Sequence, residues 1–182
     1  MSPELLPPVE IDDLGMASPC QVILSPNTDS RPADSGIDMI VVHNISLPPN
    51  QFGGNGIIEL FTNTLDATEH PYYATIAHLK VSSHFLIRRD GQLIQFASCL
   101  QRAWHAGVSS WQGRERCNDF SIGIELEGSD DCAFANAQYL SLQALIDALK
   151  KRYPIRHIVG HSQIAPGRKT DPGPFFDWQR IT

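Results

Sequence analysis

The chain has 182 residues, of which 42% are hydrophobic, so it is long enough for one domain with a core of ordinary size. Its 20 acidic and 14 basic side chains give a net charge of −6, which argues against a protein that holds nucleic acid by charge. Residues 1–8 lack the basic and apolar regions of a signal peptide, and no apolar run approaches the ~20 residues of a membrane span. We therefore expect a cytoplasmic monomer without nucleic-acid or membrane partners.

The N-terminal segment is rich in proline and polar residues, which excludes a long helix. Its short apolar run at residues 21–24 has the composition of an edge strand. We expect residues 1–24 to form an arm over the surface of one domain that spans residues 25–182. The four cysteines show no C-x-x-C spacing, so we expect reduced thiols and no cysteine metal site.

A buried strand is predicted over residues 38–43, because its central residues are apolar and β-branched. The strand ends in His43 and Asn44, and a proline-containing loop follows. A histidine at the end of a core strand is held rigidly beside a loop that opens a cleft, so His43 is a candidate for chemistry. Histidines in such places are more commonly satisfied core residues, so this candidate needs partners elsewhere in the chain.

The elements that follow alternate between extended and helical patterns. Asp90-Gly91 separates two apolar runs, which is a strong hairpin signal because glycine readily takes the positive φ of a tight turn. In chain order the predicted elements are a short helix at 57–61, hairpin strands at 83–88 and 92–96, a strand at 120–126, a helix at 137–152 and a strand at 155–160. This order predicts an α/β fold, a single domain with a mixed β-sheet flanked by α-helices.

The long helix is expected to begin after Asn136 as its N-cap and to pack on the sheet through one apolar face. The residues of this face are Ala137, Leu140, Ala144, Leu145, Ala148 and Leu149. Residues 62–81, by contrast, carry no clear pattern.

The last predicted strand also ends in a histidine, His161. If the two histidine-bearing strands are parallel neighbours, their carboxyl ends bring His43 and His161 together. Asp171 lies ten positions after His161 in a proline-braced loop that would return to the same edge. Two imidazoles and one carboxylate are a common zinc ligand set, and three protein ligands leave a position for water, as catalytic sites do. We therefore expect Zn²⁺ as the cofactor, held by these three side chains.

Hydrolysis at such a centre would also need a proton carrier and a cation. Glu125 and Glu127 share one face of the apolar strand at 120–126, where a glutamate is costly unless it is paired or functional. Glu125 is the candidate acid/base, with an ordinary edge-strand glutamate as the alternative. Lys169, two positions before Asp171, is the candidate for stabilising a developing oxyanion, with a solvated surface lysine as the alternative.

Two further segments suit a substrate cleft. Trp104 and His105 stand beside small residues and suit a wall that stacks on sugar or peptide, and His105 is a further possible metal ligand. Arg114 and Arg116 belong to a charged loop that is either simply solvated or places a forked guanidinium against a substrate carboxylate. His84 could support the metal ligands from behind.

Six ordered blocks between about residues 25 and 180 resemble the zinc-dependent N-acetylmuramoyl-L-alanine amidases, a family that includes phage lysozyme-type amidases and peptidoglycan recognition proteins. The blocks are VVHN (41–44), SSHFLI (82–87), RAWHAG (102–107), NDFSIGIE (118–125), VGH (159–161) and RKTDPGP (168–174). Within the family, the stretches 43–49, 104–110 and 113–120 are most similar to the 1,6-anhydro-N-acetylmuramyl-L-alanine amidases.

The resemblance implies roles for individual residues and a mixed sheet flanked by helices. It implies zinc ligation by His43, His161 and Asp171, in agreement with the reasoning from the residues. It implies catalysis by Glu125 and Lys169. It also implies a substrate groove lined by Asn44, Trp104 and Arg116, with the arginine meeting a stem-peptide carboxylate.

The function implied is hydrolysis of the amide between 1,6-anhydro-N-acetylmuramic acid and L-alanine of muropeptides, in cytoplasmic cell-wall recycling. Because muropeptides can signal β-lactamase induction in this pathway, loss of amidase activity would derepress β-lactamase expression. Three alternatives remain: an exported amidase that acts on intact peptidoglycan, a muropeptide-binding module without activity, and a structural zinc that only holds loops together. Binding modules of this family typically lack a zinc ligand, and a structural zinc needs neither Glu125 nor Lys169.

Overall fold

The apolar run around Val41 lies at the centre of a six-stranded sheet in a computed structural model of the chain, which describes residues 8–181. The strands are β1 (Glu10–Ile11), β2 (Ala17–Ser18), β3 (Gln21–Val22), β4 (Thr28–Ser30), β5 (Met39–Ile45), β6 (Phe85–Ile87), β7 (Leu93–Gln95), β8 (Gln101–Ala103), β9 (Ser110–Trp111), β10 (Arg114–Glu115), β11 (Ser121–Glu127) and β12 (His157–Gly160). The α-helices are α1 (Gly56–Phe61), α2 (Pro71–Ile76), α3 (Asn136–Arg152) and α4 (His161–Ile164).

The central sheet has the strand order β12-β5-β11-β6-β7-β3. β5 pairs in parallel with β12 on one side and with β11 on the other, so the two histidine-bearing strands are parallel neighbours, as predicted. β6 and β7 form the predicted antiparallel hairpin, and Gly91 in its turn has a φ of +88°. The predicted single α/β domain with a mixed sheet is therefore confirmed.

The first predicted strand is longer than the sequence indicated. β5 continues through Asn44 to Ile45, because its ladder with β11 extends to the pair Glu127 and Ile45. His43 is thus a residue of the strand and does not end it. The same ladder pairs His43 with Glu125, so these two side chains leave adjacent strands side by side.

The two faces of the sheet have different partners. α3 covers one face and packs on a large apolar core; among its members are Ile40, Val42, Ile122, Ile124 and Leu145. Side chains alternate along a strand, so Val41, His43, Gly123 and Glu125 point to the opposite face. Two smaller apolar clusters lie there, one around Phe61 and one around Met39, and the candidate site lies on this side of the sheet.

The long helix differs from the prediction in its cap and its buried face. Its N-cap is Ala135, whose N–H donates to Gln138 Oε1 (3.0 Å), whereas Asn136 is the first helical residue and accepts a hydrogen bond from Arg180. The predicted cap was wrong because Asn136 bonds a distant side chain. The predicted face was also partly wrong, since Leu140 is 62% exposed. The face that α3 does bury includes Tyr139, Leu142, Leu145, Ile146 and Leu149.

The segment without a clear pattern contains α2. His70 caps this helix by accepting from the Tyr72 N–H (3.0 Å), and Pro71 occupies its first turn.

Among residues 8–24, the predicted edge strand is confirmed as β3, which pairs with β7 at the end of the sheet. Residues 1–7 of the expected arm lie outside the described residues, and the boundary at residues 24 and 25 stays a prediction. None of the helices within 8–181 is long and apolar enough to cross a membrane.

Candidate metal centre and active site

Three side chains from different elements meet at the carboxyl ends of β5 and β12. His43 stands on β5, His161 is the first residue of α4 directly after β12, and Asp171 lies in the loop that follows α4. Gly160 lets this loop approach the strand, because a Cβ there would come within 2.8 Å of the Pro172 ring. The Asp171 carbonyl also accepts from the Ser162 N–H (3.0 Å), which fixes the loop against α4.

The donor atoms of these side chains form a small triangle. His43 Nδ1 lies 3.0 Å from His161 Nδ1 and 2.9 Å from Asp171 Oδ2, and His161 Nδ1 lies 3.1 Å from the same oxygen. A tetrahedral zinc site with bonds of ~2.0–2.1 Å has edges of roughly 3.3 Å between its ligand atoms. The triangle therefore fits a zinc ion once the donor atoms move apart by a few tenths of an ångström. Among the described residues, these side chains form the group of histidine, cysteine or acidic residues that could hold a metal ion.

The protonation states of two of these groups suit a metal ligand. Burial lowers the pKa of His43, although Asp171 opposes the shift, so the imidazole stays neutral. Burial alone would raise the pKa of Asp171, but the adjacent imidazoles of His161 and His43 outweigh burial and hold this pKa below its ordinary value. Asp171 is thus a carboxylate and His43 a free base, the forms that bind metal.

Glu125 faces the triangle from the neighbouring strand. It is only 8% exposed, and its Oε2 atom is buried without a hydrogen-bond partner among residues 8–181. Burial raises the pKa of Glu125 well above its ordinary value, the Asp171 carboxylate adds to this shift, and the charge of Lys169 opposes it. A buried carboxyl group with a raised pKa and a free oxygen is suited to accept and release a proton at neutral pH.

Lys169 lies on the loop between α4 and Asp171, and its side chain is exposed at the rim of the site. Its backbone N–H donates to the Ala165 carbonyl (3.0 Å), so the loop starts from a fixed point. The neighbouring Arg168 donates to the carbonyls of Ala106 and Val108, each at 2.7 Å, and ties the loop to the segment that carries Trp104.

Asn44, which follows His43 on β5, presents one defined end of its amide. Its Nδ2 donates to Asp130 Oδ1 (2.7 Å) and to the Pro172 carbonyl (3.0 Å), and both of these atoms only accept. Both amide hydrogens are thus used, so the Oδ1 atom is the end left for a ligand in the cavity that Asn44 lines. Asp130 also accepts from the Thr170 hydroxyl, between Lys169 and Asp171, and so holds two walls of the site together.

Substituting Asp130 should therefore disturb substrate binding without touching a metal ligand. Asp130→Ala is expected to lower kcat/KM by roughly 10–100-fold, mainly through KM, the equivalent of ~1.5–3 kcal/mol for hydrogen bonds to a charged group. Asp130→Asn keeps an acceptor for Asn44 and a partner for Thr170, so it serves as the matched control. Steady-state kinetics on both variants test the assignment, and equal losses in the two would contradict it.

Trp104 forms a flat surface beside the triangle of donor atoms. The Arg102 guanidinium lies 4.4 Å from the centroid of its ring, and Asp29 and Asp119 hold the guanidinium in place. The indole is 37% exposed and lines the cavity, so its uncovered surface is available to a ligand. Such a fixed aromatic surface suits stacking on a sugar or a peptide group.

The site opens into a cavity of about 610 Å³, which is large enough for a small peptide-bearing ligand. One wall is polar and carries the three donors of the triangle together with Glu125 and Lys169. The opposite wall comes from α1, α2 and the segment after them; its apolar side chains include Leu60, Phe61, Tyr72, Ile76 and Leu79. The segment at 62–81, which the sequence left without an assignment, thus contributes apolar side chains to the cleft.

Not every candidate from the sequence lies at this site. Arg116 is not among the residues that line the cavity: its side chain is 68% exposed, with Nε 3.5 Å from Asp119 Oδ2, so its role as a substrate contact stays a prediction. His105 is not part of the ligand triangle, because it contacts the far nitrogen of His43. His84 lies one step further back, with its ring 5.9 Å from that of His105. Sequence reasoning missed Asp130, since nothing local distinguishes it from a solvated loop aspartate.

The chain is similar to known proteins over most of its length. Residues 33–174 match the N-acetylmuramoyl-L-alanine amidase family. The 1,6-anhydro-N-acetylmuramyl-L-alanine amidase AmpD of Citrobacter freundii is 58% identical over 171 residues, which cover 93% of this chain and 91% of that protein. The crystal structure of a selenomethionine AmpD derivative matches with a TM-score of 0.91 at 58% identity, covering 93% of this chain and 96% of the other.

A more distant match was solved with a ligand. The Escherichia coli amidase AmiD, in complex with its substrate anhydro-N-acetylmuramic acid-L-Ala-D-γ-Glu-L-Lys, shares 31% identity and a TM-score of 0.60. The match covers 83% of this chain and 59% of AmiD. The fold on which the triangle and Glu125 are mounted is thus shared with a protein that holds such a muropeptide.

Proposed function

Because the chain belongs to the N-acetylmuramoyl-L-alanine amidase family and is an AmpD-type amide hydrolase of cell-wall recycling, we propose that it is a cytoplasmic zinc enzyme. Its substrate would be a 1,6-anhydro-muropeptide, which it cuts between the lactyl group of N-acetylmuramic acid and L-alanine. The observation that carries the proposal is the triangle of His43, His161 and Asp171 beside the unpartnered Glu125. The substrate bound to AmiD supports the choice of muropeptide.

The donor set suits zinc, because two imidazole nitrogens and one carboxylate leave a fourth position open. When bound, zinc supplies a Lewis acid that polarises the scissile carbonyl and lowers the pKa of water toward ~7. Glu125 takes the proton of the attacking water and delivers it to the nitrogen of the leaving L-alanine. Its Oε2 atom has no hydrogen-bond partner among the described residues, so the proton transfer breaks no existing hydrogen bond of this atom.

The remaining residues bind and orient the substrate. Asn44 would accept a hydrogen bond from a substrate N–H, since only its oxygen is free. Trp104 would stack on the sugar or peptide. Arg116 lies outside the cavity lining, and its contact with the carboxylate of a stem peptide that extends out of the cleft is proposed from the family resemblance alone.

Lys169 would stabilise the charge that develops on the carbonyl oxygen. Lys169→Met removes the cation and is expected to lower kcat by about 10²–10³-fold with little change in KM, the usual effect of losing one oxyanion donor. Lys169→Arg keeps the charge and should recover part of the loss. Steady-state kinetics with a defined muropeptide give both parameters, and a loss confined to KM would assign Lys169 to ground-state binding instead.

Analysis of products separates the proposed function from its alternatives. We expect release of the stem peptide from a soluble anhydro-muropeptide, and little release from intact sacculi, when both are incubated with the zinc-loaded protein and analysed by mass spectrometry. Comparable release from sacculi would indicate an amidase of the intact wall. Binding without release from either substrate would indicate a recognition module. The role in β-lactamase induction and the monomeric state stay predictions.

A further inference from the structure

His105 contacts the nitrogen of His43 that faces away from the triangle. His43 Nε2 lies 2.9 Å from His105 Nδ1, and the two rings meet edge to face with centroids 5.0 Å apart. On the other side, His105 Nε2 lies 3.2 Å from the hydroxyl of Ser121, a fully buried residue of β11. The three side chains form one line of hydrogen bonds, from His43 through His105 to Ser121.

The chain leaves a slot in the sheet for the His105 ring. Gly123 on β11 lies beneath it, and a Cβ at that position would overlap the imidazole. The backbone N–H groups of His105 and Ala106 both donate to Asn118 Oδ1, at 3.1 Å and 2.8 Å, which fixes the segment above the slot. His105 therefore has a defined position and little freedom to turn away from His43.

The direction of these hydrogen bonds bears on metal binding. A neutral imidazole carries one N–H, so His43 can offer its Nδ1 lone pair to a metal only when the hydrogen is on Nε2. Nε2 then needs an acceptor, which His105 Nδ1 supplies, and the His105 N–H on Nε2 donates to the Ser121 hydroxyl. For His161 the acceptor is a main-chain group: its Nε2 donates to the Ala106 carbonyl (2.9 Å), an atom that only accepts.

We propose that His105 is a positioning residue for His43, which it holds in the metal-binding tautomer and orientation with the support of Ser121. This inference rests on the zinc site of the proposed function and deepens it. The two ligand imidazoles then differ in kind: the main chain fixes His161, whereas two side chains fix His43. Only the second arrangement can be removed by substitution.

Zinc affinity tests the proposal directly. His105→Leu fills the slot without an acceptor and is expected to weaken zinc binding by about 10–100-fold, the usual effect of losing such a partner. His105→Asn places an amide oxygen near the position of Nδ1 and should restore affinity to within about threefold of the wild type. Ser121→Ala should lie between them, and Ser83→Ala, an equally buried serine that bonds the Phe85 carbonyl, should have no effect.

The measurement is competition between the purified protein and a chromogenic zinc chelator, with thermal unfolding to show that each variant is folded. Nitrogen chemical shifts of the His43 imidazole report its tautomer independently of activity. Wild-type affinity in His105→Leu, or equal losses in His105→Leu and His105→Asn, would overturn the proposal. If His105→Leu does not fold, Ser121→Ala decides, and unchanged affinity there overturns it. A wild-type protein that does not bind zinc would instead refute the proposed function.

Discussion

Glu125→Gln is expected to lower kcat by about 10²–10⁴-fold, the usual share of general acid/base catalysis, while zinc binding remains. Glutamine has nearly the same shape but cannot take up a proton from water. Glu125 is not a member of the donor triangle, and its Oε2 has no partner within the described part of the chain, so the substitution breaks no contact of this atom. The loss should therefore appear in turnover and not in folding.

Glu127 provides a matched control on the same strand. It is buried on the same face two residues further on, but it accepts hydrogen bonds from the Gly53 N–H (2.6 Å), Arg88 (3.1 Å) and the Arg89 N–H (3.2 Å). Glu127→Gln is expected to reduce stability and to retain turnover, the opposite of Glu125→Gln. Kinetics, thermal unfolding and zinc content of both variants give the comparison. Turnover at the wild-type rate in Glu125→Gln would show that another group carries the proton.

The contrast between these glutamates shows how far the sequence can be interpreted. Strand alternation places both on one face, and both are costly to bury. Which of them is paired depends on Arg88 and on the loop at Gly53, which lie 39 and 74 positions away along the chain. Local pattern carries no information about such pairs, so the choice of Glu125 over Glu127 from the sequence rests on the resemblance.

The three candidate metal ligands were easier to bring together from the sequence, because a general rule of sheets places them at one edge. Parallel neighbours end at the same edge of a sheet, so a histidine on β5 and a histidine directly after β12 come together. That β5 and β12 are parallel neighbours was an assumption of the sequence analysis, and the structure confirms this pairing. By contrast, the positions of His105 behind His43 and of Asp130 beside Asn44 depend on loop paths that no periodicity encodes.

The errors in α3 have a similar cause. The helical period was correct, but the apolar residues of the helix allow two overlapping faces, one through Leu140 and one through Leu142. In the structure the helix packs on the core through the second face, which also buries Tyr139 and Ile146. Leu140 remains exposed because a surface contains many apolar atoms and a single exposed leucine costs little.

Removal of zinc is expected to abolish turnover, and stoichiometric zinc should restore it. Mg²⁺ should not, because it prefers oxygen ligands whereas two of the three donors here are imidazole nitrogens. Zinc at 1,000 times its Kd should also raise the free energy of unfolding by about 4 kcal/mol if only the folded chain binds it. Dialysis against a chelator, metal analysis, kinetics and thermal unfolding provide the measurements.

The same experiment has a dependence on pH that follows from the ligands. Burial lowers the pKa of His43, and the neighbouring imidazoles keep the pKa of Asp171 below its ordinary value, which favours the metal-binding forms of these two groups. Because all three ligands must be deprotonated to bind a metal, zinc affinity is expected to fall as the pH is lowered and protons compete for them. Asp171→Asn, which removes the charged ligand, should weaken zinc binding at every pH. Full turnover by protein shown to be free of metal would rule out the zinc mechanism. Zinc retained by Glu125→Gln, as expected, would let the two results together separate the contribution of the metal from that of the proton carrier.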